Sequence, residues 1–213
     1  MVAADGRSVR SQDMLEAPIA LTFDDGPDRV WTPRILAALG AARARATFFV
    51  LGARVRAAPE LIAAILEQGH AVELHGHAHL RHPRSARAAV QRDTELALAA
   101  LDAVGVRPGR WRLPWGEPAP WSEELADRLG LELTGWTVDT HDWRGDPAAD
   151  MLRAAGPGLR AGAVVLMHDA LGPGARRDGC EETVRLIAAL ARRAKARGSR
   201  LGALPESTVA SAA

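Results

Sequence analysis

Short apolar runs with a β-leaning composition alternate with alanine- and leucine-rich stretches of helical spacing along nearly the whole chain. The runs fall at 19–23, 47–51, 71–74, 110–113, 131–138, 163–167 and 200–204. A strand that reaches its neighbour through a helical crossover pairs with it in parallel, so this order builds a parallel sheet with helices packed on it. The helix punctuation agrees. Thr32-Pro33 opens a helix that Gly40 can end, Pro59 and Gly69 bracket the next, and 85–104 stops at Gly105. Ser122 can cap 123–129 before Gly130, Asp146-Pro147 opens a helix closed by Gly156, and 181–197 ends at Gly198. About seven β/α units leave two architectures, a closed or nearly closed parallel barrel and a doubly wound open sheet.

The polar residues choose between them. Asp24 and Asp25 follow the first strand, His75 to His79 the third, Arg112 ends the fourth, Asp139 to Trp143 follow the fifth and His168 the sixth. In a barrel these C-terminal strand ends converge on one face, whereas an open sheet spreads them along an edge. The expected fold is therefore α/β, a distorted parallel (β/α) barrel.

Composition sets the outer limits. A chain of 213 residues fits one such domain, and 47% hydrophobic with 25% charged residues is enough for a proper core. We divide it into a polar segment 1–18, a catalytic domain 19–206 and a tail 207–213. A net charge of +1 gives no field to favour nucleic acid or an anionic membrane as partner, and no protein partner is indicated. Cys180 is the single cysteine, so there is no intramolecular disulfide and no thiolate cluster, and any metal must use His and carboxylate. Residues 1–18 hold no apolar run long enough for a membrane span or a leader. The expectation is a cytoplasmic protein, or a secreted one whose leader has been removed.

Two segments carry the chemistry. In Thr22-Phe23-Asp24-Asp25-Gly26-Pro27 adjacent carboxylates sit at a strand end. Neighbouring strand residues point opposite ways, so the pair can do separate jobs, although Asp-Gly-Pro is also a common turn. In His75-Gly76-His77-Ala78-His79 three histidines occur within five residues. Histidines four apart share a face of a helical turn and those two apart a face of a strand, so both geometries present an imidazole pair. Two imidazoles and one carboxylate leave zinc an open coordination position, as catalytic sites require. Zinc in such a site brings the pKa of water from about 15.7 to about 7. Cobalt, nickel and iron accept the same ligands.

The order and spacing of Thr22–Pro27, His75 with His79, Trp111-Arg112-Leu113-Pro114-Trp115-Gly116, Asp139-Thr140-His141-Asp142-Trp143 and Leu166-Met167-His168 resemble the five motifs of the polysaccharide deacetylases, carbohydrate esterase family four, the NodB-homology domain. Residues 46–52 look like the family's second strand, and the resemblance runs from about Ile19 to Glu206. It implies that Asp25, His75 and His79 bind the metal, with Asp24 the general base and Arg112 its holder. It also makes His168 the general acid, oriented by Asp142. Trp143 and Leu166 would line the pocket for the acetyl methyl, Pro114 and Trp115 would border the substrate, and backbone N–H near Trp115 would help stabilise the oxyanion. The implied activity is metal-dependent removal of N-acetyl or O-acetyl groups from a carbohydrate, with a pH optimum near neutrality.

Three departures stand out. Gly76 replaces the usual Ser or Thr after the first histidine, which is expected to loosen that loop. His77 is an additional imidazole that could support the site, touch substrate or compete as a ligand. Trp115 stands where the family often has tyrosine, a residue this chain lacks. Of the tryptophans between the third and fourth motifs, Trp111 and Trp136 are expected in the core, and Trp115 and Trp121 on a loop that stacks against sugar. The competing functions are a hydrolase of a non-sugar amide or imide and an inactive carbohydrate-binding relative.

Overall fold

The computed structural model describes residues 17–207, so most of both expected terminal segments lies outside the described residues. The strands are β1 (Ile19–Asp24), β2 (Thr47–Val50), β3 (Ala71–Leu74), β4 (Arg110–Trp111), β5 (Glu132–Leu133), β6 (Val138–Asp139), β7 (Val164–His168) and β8 (Leu201–Gly202). All pair in parallel in the order β5-β4-β3-β2-β1-β7-β6, and β8 joins the beginning of β1. The helices are α1 (Trp31–Ala42), α2 (Gly52–Ala57), α3 (Pro59–Glu67), α4 (Arg87–Asp102), α5 (Ser122–Arg128), α6 (Ala148–Ala155) and α7 (Glu181–Ala196). The sheet curls into a distorted half-barrel, and the C-terminal ends of β1, β3, β6 and β7 face one cavity. Among the described residues no helix is long and apolar enough to cross a membrane.

β1 is an inner strand that pairs with β2, β7 and β8 and is buried along its whole length, which explains its nearly unbroken apolar sequence. Phe23 stacks on Phe48 of β2 at 5.2 Å between ring centroids, and Leu21, Ile35, Leu39, Ile62, Ile65, Leu74, Leu186 and Leu190 complete the main core. Each such side chain contributes about 1.5–3 kcal/mol by leaving water.

The run 131–138 is not one strand. It forms β5 and β6, which pair with β4 and β7 at opposite ends of the sheet. Arg112 explains the interruption: its guanidinium takes the carbonyls of Thr134 and Gly135, the groups a continuous ladder would need. Residues 134–137 thus form a seam that links the two edges of the half-barrel through the chain, with no ladder between β5 and β6, while Thr134 N donates to Trp111 O and Thr137 N to Val164 O. At α1, Asp28 rather than Thr32 supplies the cap, its Oδ1 accepting from the amides of Val30 and Trp31. That helix also runs past Gly40 and ends where Arg43 turns left-handed, at φ 50°. The sequence pattern did not single out α2, which packs its first residue, Gly52, against Ala97 of α4.

Candidate active site

Asp24 is the last residue of β1, and Asp25 leaves the strand with φ 76°. The two carboxylates part through this left-handed step as well as through the strand pleat. Gly26 permits the turn because a Cβ there would stand 2.3 Å from the carboxylate oxygens of Asp169. Asp24 Oδ1 accepts from Arg112 Nη1 at 2.8 Å, and both residues are buried. Arg112 also donates to Thr22 Oγ1 at 2.7 Å and to Gly135 O at 2.8 Å, so its charge is held from three sides.

Asp25 turns to the histidines. Its Oδ1 lies 3.4 Å from His75 Nε2 and 3.2 Å from His79 Nε2, yet this buried oxygen accepts no hydrogen bond of normal geometry from the described residues. Two ligand atoms about 2.1 Å from one ion at a tetrahedral angle stand about 3.4 Å apart, so the three side chains fit a zinc-sized cation. His75 Nδ1–H donates to Arg112 O at 2.8 Å, which leaves Nε2 with its lone pair toward Asp25. Burial works against charge on the Asp25 carboxyl, but His75 and His79 hold it well below the usual carboxylate range. Burial likewise opposes a charged His75, whereas Asp24 and Asp25 raise its pKa. The carboxylates that attract a proton to this ring also attract a cation, so the two compete.

The histidine loop is pinned, which corrects the expectation that Gly76 loosens it. Asp93 of α4 accepts from the amides of His77 and Ala78 at 2.7 and 2.9 Å, and Gly76, at φ 94°, lies close beside the same carboxylate. His77 points out of the ligand group: its Nδ1 lies where a Cβ on Gly52 would approach to 2.7 Å. Asp93 was not read from the sequence, where a single Asp on a helix carries no signal.

On the other side, His168 Nδ1–H donates to Asp142 Oδ1 at 2.7 Å, and the His168 amide donates to Asp142 Oδ2 at 2.9 Å. Burial opposes a charged ring, but Asp142 more than offsets it and His168 is pushed up to about 9. Asp142 itself, although buried, is brought down to about 2 by His168, Arg177 and Thr183. Arg177 and Thr183 are a second pair that the sequence did not reveal. Next to His168, burial pushes the Asp169 carboxyl up to about 7, and Thr32 Oγ1 donates to it at 2.5 Å.

These groups border one cavity of about 240 Å³, lined by Asp24, Asp25, His75, His79, Trp115, Trp136, Trp143, Leu166 and His168. Leu166, Trp115 and Trp143, expected to border the substrate, all line this cavity. Pro114 is not among the residues that line the cavity; it is buried, with its ring near Gly76, and so backs the histidine loop. Trp121 is no stacking platform either, because His82 lies against its ring at 5.3 Å inside the protein. Trp111 is core at 1% exposure, but Trp136 lines the cavity, wedged where Gly116 leaves room for its ring. Trp115 is 42% exposed, packs edge-on against His79 and carries the Arg81 guanidinium over its ring. Arg81 is in turn paired with Glu117.

Residues 11–134 match the sequence profile described as polysaccharide deacetylase. The chain belongs to the polysaccharide deacetylase family. It is 32% identical over 198 residues to a chitooligosaccharide deacetylase of Bradyrhizobium sp., covering 88% of this chain and 89% of that protein. It is 37% identical over 155 residues to the peptidoglycan-N-acetylglucosamine deacetylase PgdA of Listeria monocytogenes, covering 71% of this chain. This chain spans about a third of that protein's length, 32%. Among solved structures, the Bc1960 peptidoglycan N-acetylglucosamine deacetylase bound to a hydroxamate-type benzamide superposes with a TM-score of 0.83 at 28% identity, over 90% of this chain and 88% of that one. The deacetylase fold thus extends well beyond the profile match and includes the His168 side of the cavity.

Proposed function

We propose that this chain is a metal-dependent carbohydrate deacetylase that hydrolyses the N-acetyl groups of an amino sugar, with zinc as its cation. The observation that carries the reading is the meeting, in one cavity, of a three-residue ligand group, a separately held carboxylate and a carboxylate-backed histidine. Asp25, His75 and His79 would hold the cation. When bound, it supplies Lewis-acid chemistry, polarising the acetyl carbonyl and making water easier to deprotonate.

The chain's own groups divide the remaining work. Asp24, kept off the ligand group by Arg112, accepts a proton from the attacking water. His168 gives a proton from Nε2 to the leaving nitrogen, while Asp142 holds the opposite ring nitrogen and fixes the tautomer. An amine leaves poorly without that proton, so a positioned acid favours amide substrates. Leu166 and Trp143 enclose the acetyl methyl, and Trp136 forms a further wall.

The test is acetate release by zinc-loaded protein from a panel of N-acetylated sugars, O-acetylated sugars and simple non-sugar amides. The reading expects N-acetylated amino sugars to be hydrolysed best. Preference for a non-sugar amide would move the protein to another hydrolase class on the same scaffold.

A further inference from the structure

The stretch between β7 and α7, residues 169–180, has no helix or strand, yet it lines the cavity through Ala170, Gly172, Pro173, Gly174, Ala175 and Arg177. One side chain organises it. Arg177 has a side chain only 5% exposed. It donates to Asp142 Oδ2 at 3.0 Å, Asp142 O at 3.1 Å, Thr183 Oγ1 at 2.5 Å, His168 O at 3.1 Å, Ala170 O at 3.4 Å and Cys180 Sγ at 3.2 Å. A buried guanidinium keeps its charge only where acceptors replace water, and here they come from the β6 side, the end of β7 and the start of α7.

We propose that Arg177 is a positioning residue for the general acid: it grips Asp142 and the main chain of His168 together, and so aims the His168 ring at the leaving group. The proposal rests on the reading of His168 as the acid. Every bond of the Asp142 carboxylate supports it. Oδ1 takes the His168 ring, and Oδ2 takes the His168 amide, Arg177 and Thr183 Oγ1. Without Arg177 the carboxylate keeps the His168 ring, the His168 amide and Thr183 Oγ1, but it loses the tie to the His168 and Ala170 carbonyls, and its hold on the ring slackens. Lysine, a point charge without the planar fork, cannot serve the same acceptors.

The experiment compares an N-acetylglucosamine oligomer with 4-nitrophenyl acetate, whose leaving group needs no proton, using full-length zinc-loaded protein. Arg177→Gln should lower kcat on the amide by about 10²-fold, part of the usual worth of a positioned acid, with KM and the ester rate changed by no more than a few-fold. Arg177→Lys should restore only a fraction of the amide rate, and Arg177→Gln should add no further amide loss to His168→Ala. Equal losses on amide and ester, or a loss that multiplies with His168→Ala, would overturn the proposal in favour of a purely structural arginine. Thr183→Val removes one tie without burying an unpaired group, so it applies the same contrast should Arg177→Gln not fold. It should show a smaller amide-selective loss, and an unselective one counts against the proposal. Failure of the underlying reading is visible on its own: His168→Ala would then show no amide–ester contrast, which also overturns this proposal.

Discussion

His168 and Asp142 are joined twice, ring to carboxylate and main-chain amide to the same carboxylate. One carboxylate therefore registers the imidazole against the histidine's own main chain.

This pairing sets a pH window. Against the opposing effect of burial, Asp142 raises His168 to about 9, so the stabilisation is whole below the ordinary histidine pKa of about 6.5 and is lost as pH rises through about 9. From the other partner the same interaction is present above the ordinary aspartate pKa of about 3.9 and is lost as pH falls through about 2. A cation on Asp25 removes some of the pull on His168, which places the alkaline fall in amide turnover between about 6.5 and 9, on the basic side of the near-neutral optimum expected from sequence. His168→Ala should abolish that fall and cost about 10²–10⁴ in amide turnover, as pH–rate profiles would show. An alkaline limb that survives the substitution would assign the acid elsewhere.

The adjacent aspartates should separate cleanly. Asp25→Asn removes the carboxylate between His75 and His79, so zinc and activity should be lost together. Asp24→Asn keeps an acceptor for Arg112 and should retain zinc while turnover drops by about 10²–10⁴. Metal analysis beside acetate release decides the matter, and the opposite pattern would exchange the two roles.

Among the histidines, His75→Ala and His79→Ala should each empty the site, whereas His77→Ala should leave zinc in place because its ring faces Gly52. Asp93→Ala should weaken zinc without removing a ligand, since the amides of His77 and Ala78 lose their acceptor. Chelator competition measures all four, and unchanged affinity in Asp93→Ala would show that the loop holds itself.

Gly172 offers a probe from outside the ligand set. A Cβ there would stand 1.8 Å from Asp25 Oδ2, so Gly172→Ala must push either the loop or the ligand. An overpacking cost of about 1–3 kcal/mol corresponds to roughly 5- to 150-fold weaker zinc binding. Gly40→Ala, with open space around it, is the matched control and should leave affinity unchanged.

The sequence made β1, β2, β3 and β7 legible because buried parallel strands read as apolar runs. It also brought Asp24, Asp25, His75, His79, Arg112, Asp142 and His168 to one face, since strand ends in a barrel have nowhere else to go. It could not reveal that 131–138 divides, because the cause is the Arg112 guanidinium, just after β4, competing for carbonyls. Asp93, Arg177 and Thr183 escaped for a similar reason: each acts through main-chain or carboxylate contacts with residues distant in sequence. Trp121 and Trp136 exchanged expected places because neighbouring prolines say little about which indole finds a partner, and here His82 covers one while Gly116 makes room for the other.

The seam at 134–137 divides the sheet's mechanical character. From β5 through β1 to β6 a deformation must stretch ladder hydrogen bonds, but between β5 and β6 no ladder resists it, and the link is Gly135 and Trp136, with Gly135 anchored through Arg112 to Asp24. Trp136, a wall of the cavity, rides on that segment. The side of the half-barrel without a ladder is thus a side that borders the cavity. A displacement of Trp136 is passed, through Gly135 and Arg112, to the Asp24 carboxylate.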